Sequence, residues 1–501
     1  MIGNSLIGFS FKILMLIIGF VSRKIFIIYL GEEVLGLNSL YVNLLDLLNL
    51  ADLGIGVVVQ YQLYGPLVEK NYEKQSRIIS AAKSIYNKIG FMILLSGAVL
   101  SVFIEFLIKE STYSVNFIRA SFMISVTGVA LGYFFVHKRL YLQANEDFGI
   151  VNIIDLIAKV GMTILSLVLT IIFRNYFIYL IINALYSLSA NIIIHFVFKK
   201  RYPQVVANIK DHQDEKNMLK ADLKNVVPMK LSNYVYNSTD NLIISKVLGL
   251  VTVARYSNYM TIINGIMGME YILGNVVTST IGKIIKEKDD PQEVYQYYLM
   301  YQYGQFLFTN FCTAALSIVM IPFIKIWLGD SFVLELSIMI LLIGDFYIHS
   351  MYQPAYVMFG AAGKFKDDKF ITIISAVMNL GISLIAVYFI GLAGVIIGTI
   401  ATDIYIWCVR TYQVVSKYFY KSLKKYILLM LKYIVITVIS VALCLGASKV
   451  FLIENLYVEF IVRLLISAIV PNAAAVLLTC KDEQFRSVKN ILFGKLKKKA
   501  D

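Results

Sequence analysis

The residues able to do chemistry in this sequence are charges set inside long apolar runs. Lys12, Arg23 and Lys24 fall in the first run, Arg255 opens a later one that also holds Glu270, and Asp46, Asp155, Asp240 and Asp345 are distributed among four others. A charge at the centre of a bilayer costs about 2.5–3.5 kcal/mol on insertion scales, so each is a functional candidate by default. Lys12 and Arg23 are eleven residues apart, about three helical turns, which places them on one helix face roughly 16 Å apart. Such a face suits an anionic substrate; the competing reading is that Arg23 and Lys24 snorkel to the headgroups. Arg255 is expected near the outer mouth of any central cleft, with snorkelling again the rival. Asp46 and Asn49 share a helix face, where they serve either transport or interhelical hydrogen bonding. Asp155 and Lys159, at i and i+4, suit an intrahelical ion pair. Asp345 and His349 have the same spacing and precede Pro354, a combination that suits proton exchange beside a helix able to loosen, or a buried hydrogen-bonded pair.

The elements that position these charges are membrane spans. About 20 helical residues cross a bilayer core, and roughly fourteen runs of that length fill the chain. They are centred on residues 5–30, 34–63, 87–108, 115–137, 149–173, 176–198, 226–248, 251–281, 295–322, 332–360, 370–390, 392–415, 426–449 and 455–479. The 501 residues are 58% hydrophobic and 16% charged, with mean hydropathy +0.72, which leaves no stretch for a sizeable soluble domain. The net charge of +14 sits in alternate links between runs. It is read as topology, with both termini cytoplasmic, and not as a nucleic-acid surface. The first run, with no basic segment before it and no small-residue cleavage site, is read as a retained span.

Links on the opposite side are very short, as at GEEV, KESTYS, RNY and ENLY. They leave little room for an outer catalytic loop, so an enzyme is not expected. No phosphate-binding G-x-x-x-x-G-K-[ST] motif occurs, and the acidic pairs Asp289–Asp290 and Asp367–Asp368 read as solvated turns. Cys312, Cys408, Cys444 and Cys480 have no pairing pattern and no His at ligand spacing, so they are expected as buried free thiols, with no metal and no cofactor.

The charged link from about Lys199 to Asn225 reads as an amphipathic connector on the membrane surface. Across it, LGEEVLGLNSLYV from Leu30 aligns without gaps to LGLVTVARYSNYM from Leu248. This internal repeat gives an all-α membrane fold of two pseudo-symmetric six-helix bundles, residues 1–213 and 214–425. Residues 426–501 form an appended helix pair and a basic tail.

SRKIFIIYLGEEVLGLNSLYVNLLDLLNLADLGIG, TDNLIISKVLGLVTVARYSNYM and GKFKDDKFITIISAVMNLGISLIAVYFIGLAGVIIGT together resemble the polysaccharide repeat-unit flippases of Wzx type. That group belongs to the superfamily of multidrug, oligosaccharidyl-lipid and polysaccharide exporters. The resemblance implies two bundles around a cationic cavity that opens alternately to each side of a bacterial plasma membrane. It implies a cargo of lipid-linked oligosaccharide, a polyprenyl-diphosphate carrier moved outward for capsule or other surface polysaccharide. Under that reading Arg23, Lys24, Lys12 and Arg255 hold the diphosphate, and Asp46, Asp240, Glu270, Asp345 and His349 serve ion coupling or gating. The expected partners are the lipid-linked cargo, membrane lipids and a polysaccharide polymerase, with the chain a monomer. The alternatives are an ion-coupled multidrug exporter of the same superfamily, which needs an acidic cavity, and an outer-face polymerase or glycosyltransferase.

Overall fold

A computed structural model describes residues 2–49, 55–145, 147–209, 213–219, 239–287, 291–362, 365–450 and 453–497. Among the described residues the regular structure is helical throughout. Apolar side chains around an internally hydrogen-bonded backbone are the arrangement that a bilayer tolerates. The helices are α1 (Ile2–Leu30), α2 (Glu32–Leu48), α3 (Ile55–Val68), α4 (Tyr72–Phe103), α5 (Val115–Tyr133), α6 (Val136–Ala144), α7 (Phe148–Phe173), α8 (Tyr176–Arg201) and α9 (Asp240–Leu248). They continue as α10 (Leu250–Glu287), α11 (Pro291–Leu328), α12 (Leu336–Ala361), α13 (Phe365–Ile390), α14 (Leu392–Thr411), α15 (Leu423–Val450), α16 (Leu456–Thr479) and α17 (Glu483–Lys497). Nine helical segments among the described residues are long and apolar enough to cross a membrane, and the helix order accommodates about fourteen spans. The chain is a multi-pass membrane protein.

Several of the short links are closed by local helix caps. At RNY, Arg174 closes α7 in the left-handed region (φ 49°), and Asn175 immediately caps α8 by accepting from the backbone N–H groups of Phe177 and Ile178. Asn455 does the same for α16, and Ser114 caps α5. These side-chain acceptors satisfy amides that the first helical turn leaves open.

Two of the expected spans are described only in part. Residues 34–63, read as a single crossing, are seen as α2 and α3, and the stretch 50–54 between them lies outside the described residues. Most of the run at 226–248 also lies outside them, and only its end is seen as α9.

The chain packs as two compact units, residues 21–257 and residues 1–20 with 258–501. This partition by packing is distinct from the repeat-based division at 213/214 and 425/426, which remains a proposal. One local feature speaks for the repeat. Gly31 (φ 87°, ψ 167°) and Gly249 (φ 92°, ψ 168°), the aligned glycines, share one backbone conformation that disfavours any side chain. Each joins a helix to the next with no intervening loop.

In the unit of residues 21–257, the core lies under α2, α4, α5 and α8. The buried Tyr41 hydroxyl donates to the Ile118 carbonyl at 2.7 Å and pairs with Ser121. α9 joins this unit where Ser245 Oγ donates to the Leu107 carbonyl and Lys109 N–H donates to that of Ser245. A Cβ on Gly36 would stand 1.9 Å from the Leu250 carbonyl oxygen, so α2 and the start of α10 meet at a distance only glycine allows. The link after α8 is anchored, since Val206 N–H donates to Ser76 Oγ and Ile209 N–H to Ser80 Oγ. This part of the expected surface connector is docked on α4, and residues 210–212 and 220–225 of it lie outside the described residues.

In the other unit, α13 and α14 form a close hairpin. A Cβ on Gly394 would lie 2.3 Å from the Ala386 backbone and one on Gly398 2.1 Å from Ser383 Oγ, the small-residue contact that lets membrane helices approach. α15 and α16 pack on α11 through the Phe306–Tyr433 stack at 4.1 Å and through Asn310, which donates to the Pro471 carbonyl at 3.0 Å. Trp327 Nε1 donates to the Phe20 carbonyl at 2.8 Å, binding the first part of α1 to the end of α11.

Glu33, just before the second span, holds the link between α4 and α5. Its carboxylate accepts from Ser111 Oγ at 2.6 Å, Thr112 N–H at 2.8 Å and Thr112 Oγ1 at 2.5 Å. Partial burial pushes this carboxyl up, and the donors from Ser111 and Thr112 more than reverse the effect, leaving it below its ordinary value of 4.5. A lowered folded value means that the charged form stabilises the fold. The contribution is complete at pH 7, begins to fall as the unfolded carboxyl titrates near 4.5, and is lost once the folded carboxyl protonates below that. Glu33→Gln is therefore expected to lower the unfolding temperature in detergent at pH 7, by less than about 1 kcal/mol because the group is largely solvated. The deficit should vanish when the comparison is repeated below pH 4; a deficit independent of pH would contradict the assignment.

Candidate functional site

In the unit of residues 21–257 a cavity of about 570 Å³ opens among α2, α5, α6, α7 and α8. Its apolar wall includes Val42, Leu45 and Val129, and small residues keep it open. Gly128 and Ala184, both lining residues, touch so closely that a Cβ on Gly128 would lie 2.6 Å from the Ala184 Cβ. Its polar wall is mostly uncharged, with Asn38 and Asn49 from α2, Tyr133 from α5, and Tyr179, Asn183 and Asn191 from α8. Among the described residues only Arg139 and Asp155 bring charge to it, and they pair with each other. Arg139 also donates to Asn191 Oδ1, from Nε at 3.3 Å and from the guanidinium end at 3.1 Å, and Asn191 donates to the Gly132 carbonyl at 3.3 Å.

Arg23 stands at the margin of this cavity. It is half-buried, its guanidinium donates to Ser39 Oγ at 3.5 Å, and it lies close to Tyr179, a lining residue. Lys24 is exposed. The Lys12 side chain lies outside the described residues, so the cationic face expected of α1 is seen through Arg23 and Lys24. Arg255 is matched by Glu32, Nε to Oε2 at 3.7 Å, so its charge is partly compensated. Asp240, the first residue of α9, accepts from the Tyr256 hydroxyl at 3.2 Å. Asp46 is half-buried on α2, and its neighbour Asn49 accepts from the Tyr133 hydroxyl at 3.2 Å.

A second polar cluster lies in the other unit. Glu270 on α10 is buried, with Oε1 accepting from Ser350 Oγ at 2.5 Å and Gln305 Nε2 at 3.1 Å, and Oε2 without a hydrogen-bond partner among the described residues. Next to Ser350, His349 Nδ1 lies 3.0 Å from Asp403 Oδ2 and 2.8 Å from the Tyr352 hydroxyl, while Nε2 faces Gln353 at 3.1 Å. Arg410 stacks over Tyr356 and Tyr352, its carbon 4.9 and 5.6 Å from the ring centres. α12 runs through Pro354, which has no N–H to offer the preceding turn. Gln302 donates to the Met351 carbonyl in that turn at 3.4 Å.

Two pairings differ from the local spacings. Asp155 is engaged by Arg139 of α6, and Lys159 is exposed. His349 is paired with Asp403 of α14, where Asp345 was expected. In both cases tertiary packing brings a charged partner from a neighbouring helix, which spacing along one helix does not reveal. Asp403 and Arg410 escaped the sequence reading, although two opposite charges seven residues apart inside one apolar run place both on one helix face. Of the four cysteines, Cys312 and Cys444 are buried free thiols, whereas Cys408 and Cys480 are exposed. Among the described residues no group of three His, Cys, Asp or Glu side chains could hold a metal ion.

The fold is found in solved transporters. A multidrug resistance MATE family transporter of the MOP superfamily, in an inward-facing conformation, matches with a TM-score of 0.66 at 16% identity, over 82% of this chain and 98% of its own. The lipid II flippase MurJ in an inward closed conformation matches with a TM-score of 0.69 at 14% identity, over 95% of this chain and 99% of its own. A MOP superfamily transporter from Pyrococcus furiosus, noted for the reversed polarity of its binding pocket, matches at 0.51 and 16% identity, over 83% and 95% of the two chains. No curated protein sequence matches the chain significantly. The family model described as polysaccharide biosynthesis protein matches residues 75–333, just over half of the sequence. With the fold of MOP transporters, the chain belongs to the polysaccharide biosynthesis protein family.

Proposed function

We propose that this protein is a flippase, a carrier and not an enzyme, that moves a polyprenyl-diphosphate-linked oligosaccharide from the cytoplasmic to the outer leaflet of a bacterial plasma membrane by alternating access. Both termini are cytoplasmic in this reading, and the cargo feeds capsule or another surface polysaccharide, with a polysaccharide polymerase as the downstream partner of a monomeric carrier. The observation that carries the proposal is Arg23, a guanidinium half-buried within an apolar helix and standing at the edge of a cavity whose own charges cancel. A guanidinium binds diphosphate oxygens with two parallel hydrogen bonds, and burial strengthens both. Lys24 and Lys12 add positive charge on the same helix, and Arg255 contributes as far as Glu32 releases it. A small cationic drug, the cargo of the alternative exporter, finds no uncompensated acid among the described lining residues of the cavity, which favours the flippase reading.

Coupling is assigned to the buried acid cluster. Glu270, with one carboxyl oxygen unpartnered among the described residues, and His349, bridged to Asp403, bring a carboxyl and an imidazole, groups able to take up and release a proton, to neighbouring positions. Asp345 lies one turn from His349 and is a further candidate, as are Asp46 and Asp240.

Arg23→Gln should lower flipping at least about tenfold, the value of one charge-assisted pair, while the amount of protein in the membrane stays unchanged. Arg23→Lys should keep part of the activity. Full activity in Arg23→Gln would remove this residue from the mechanism. Separately, flipping by Glu270→Gln in proteoliposomes should no longer respond to an imposed proton gradient that accelerates the unaltered protein. An unchanged response would place coupling elsewhere.

A further inference from the structure

We propose that the cavity in the unit of residues 21–257 is a sugar-recognition pocket that reads the neutral, hydroxyl-rich part of the cargo. This rests on the flippase reading and deepens it by assigning specificity to residues apart from the cations. The volume of about 570 Å³ falls within the range of small-ligand pockets, about 300–1,000 Å³. Its chemistry excludes ions in either direction. Arg139 and Asp155 are its only charged lining groups among the described residues, and each neutralises the other.

What remains is amide and phenol. An Asn side chain both donates and accepts, which is what a sugar hydroxyl or acetamido group requires, and a tyrosine presents an apolar face with a polar tip. The lining holds these groups partly uncommitted. Asn38 Oδ1 accepts from Tyr176 at 3.2 Å and Asn49 Oδ1 from Tyr133 at 3.2 Å, while the amide nitrogens of both make no hydrogen bond among the described residues. Asn183 uses its nitrogen on the Tyr179 carbonyl at 2.8 Å and on Ser166 at 3.2 Å, leaving its oxygen. Asp155 Oδ1 is buried with no partner among the described residues. Asn38 and Asn49 are half-buried and Asn183 is exposed, so a ligand in the cavity meets donors and acceptors with hydrogen-bonding capacity to spare, and one lacking the matching hydroxyls forgoes those bonds. The arrangement also has the right order: Arg23 at the margin, beside Tyr179, meets the diphosphate, and the sugars joined to it reach inward.

The test uses the full chain in proteoliposomes. Two probes are supplied in turn: the polyprenyl-diphosphate oligosaccharide extracted from the cells that make the protein, and the same lipid trimmed enzymatically to one sugar. The unaltered protein should prefer the full oligosaccharide. In Asn49→Leu and Asn183→Leu that preference should fall about tenfold, one lost hydrogen bond being worth about a factor of ten. A preserved preference in both variants overturns the pocket assignment. Failure of the unaltered protein to move either lipid overturns the flippase reading, and this inference with it. If the leucine variants do not fold, Asn183→Cys provides a second measurement, in which maleimide modification at position 183 is followed by mass spectrometry. The water-soluble oligosaccharide, released from its lipid and diphosphate, should slow that modification; an unchanged rate overturns the proposal.

Discussion

A charge among apolar helices must be matched by another charge, by hydrogen bonds or by a ligand, because the bilayer supplies no water to stabilise it. The described polar residues sort by this requirement. Arg139 and Asp155 match each other across α6 and α7, and Arg463 donates to the Ile318 carbonyl at 2.8 Å as well as pairing with Glu459. His349 and Asp403 tie α12 to α14. These pairings let polar groups persist within helices whose outer surfaces are apolar, and they orient the helices that carry them. Helices with matched charges form a frame. Arg23 is a further charge of this kind, in the first span, and its guanidinium donates to Ser39 Oγ at 3.5 Å. On the proposed reading it also meets the diphosphate of the cargo.

The same requirement explains the glycines. A helix pair brought together by small residues buries backbone against backbone without needing polar side chains. Gly36 against Leu250 and Gly394 with Gly398 against Ala386 and Ser383 are contacts of this kind, and they set the helices within which the polar clusters sit. Gly128, pressed on Ala184, holds α5 to α8 where both line the cavity.

Much of the fold could be read from apolar run length and the chemistry of links. The capping asparagines Asn175 and Asn455, the all-helical class and the order of runs follow from local rules that packing does not override. Of the site, Arg23 was visible as a charge in the wrong medium. The partners were not. Asp155 found Arg139 sixteen residues away and His349 found Asp403 fifty-four away, and spacing along one helix carries no information about a neighbour. Asn49 drew notice beside Asp46, but Asn38, Asn183 and Asn191 did not, since single Asn residues in apolar runs acquire meaning only when α2 and α8 bring them to one cavity.

The most direct test of the central claim is the leaflet distribution of the polyprenyl-diphosphate oligosaccharide in cells depleted of this protein, read with a membrane-impermeant probe for the sugar. The account predicts that complete repeat units accumulate on the cytoplasmic face while their synthesis continues. Undiminished appearance of those units on the outer face, together with impaired export of some other solute, would contradict it.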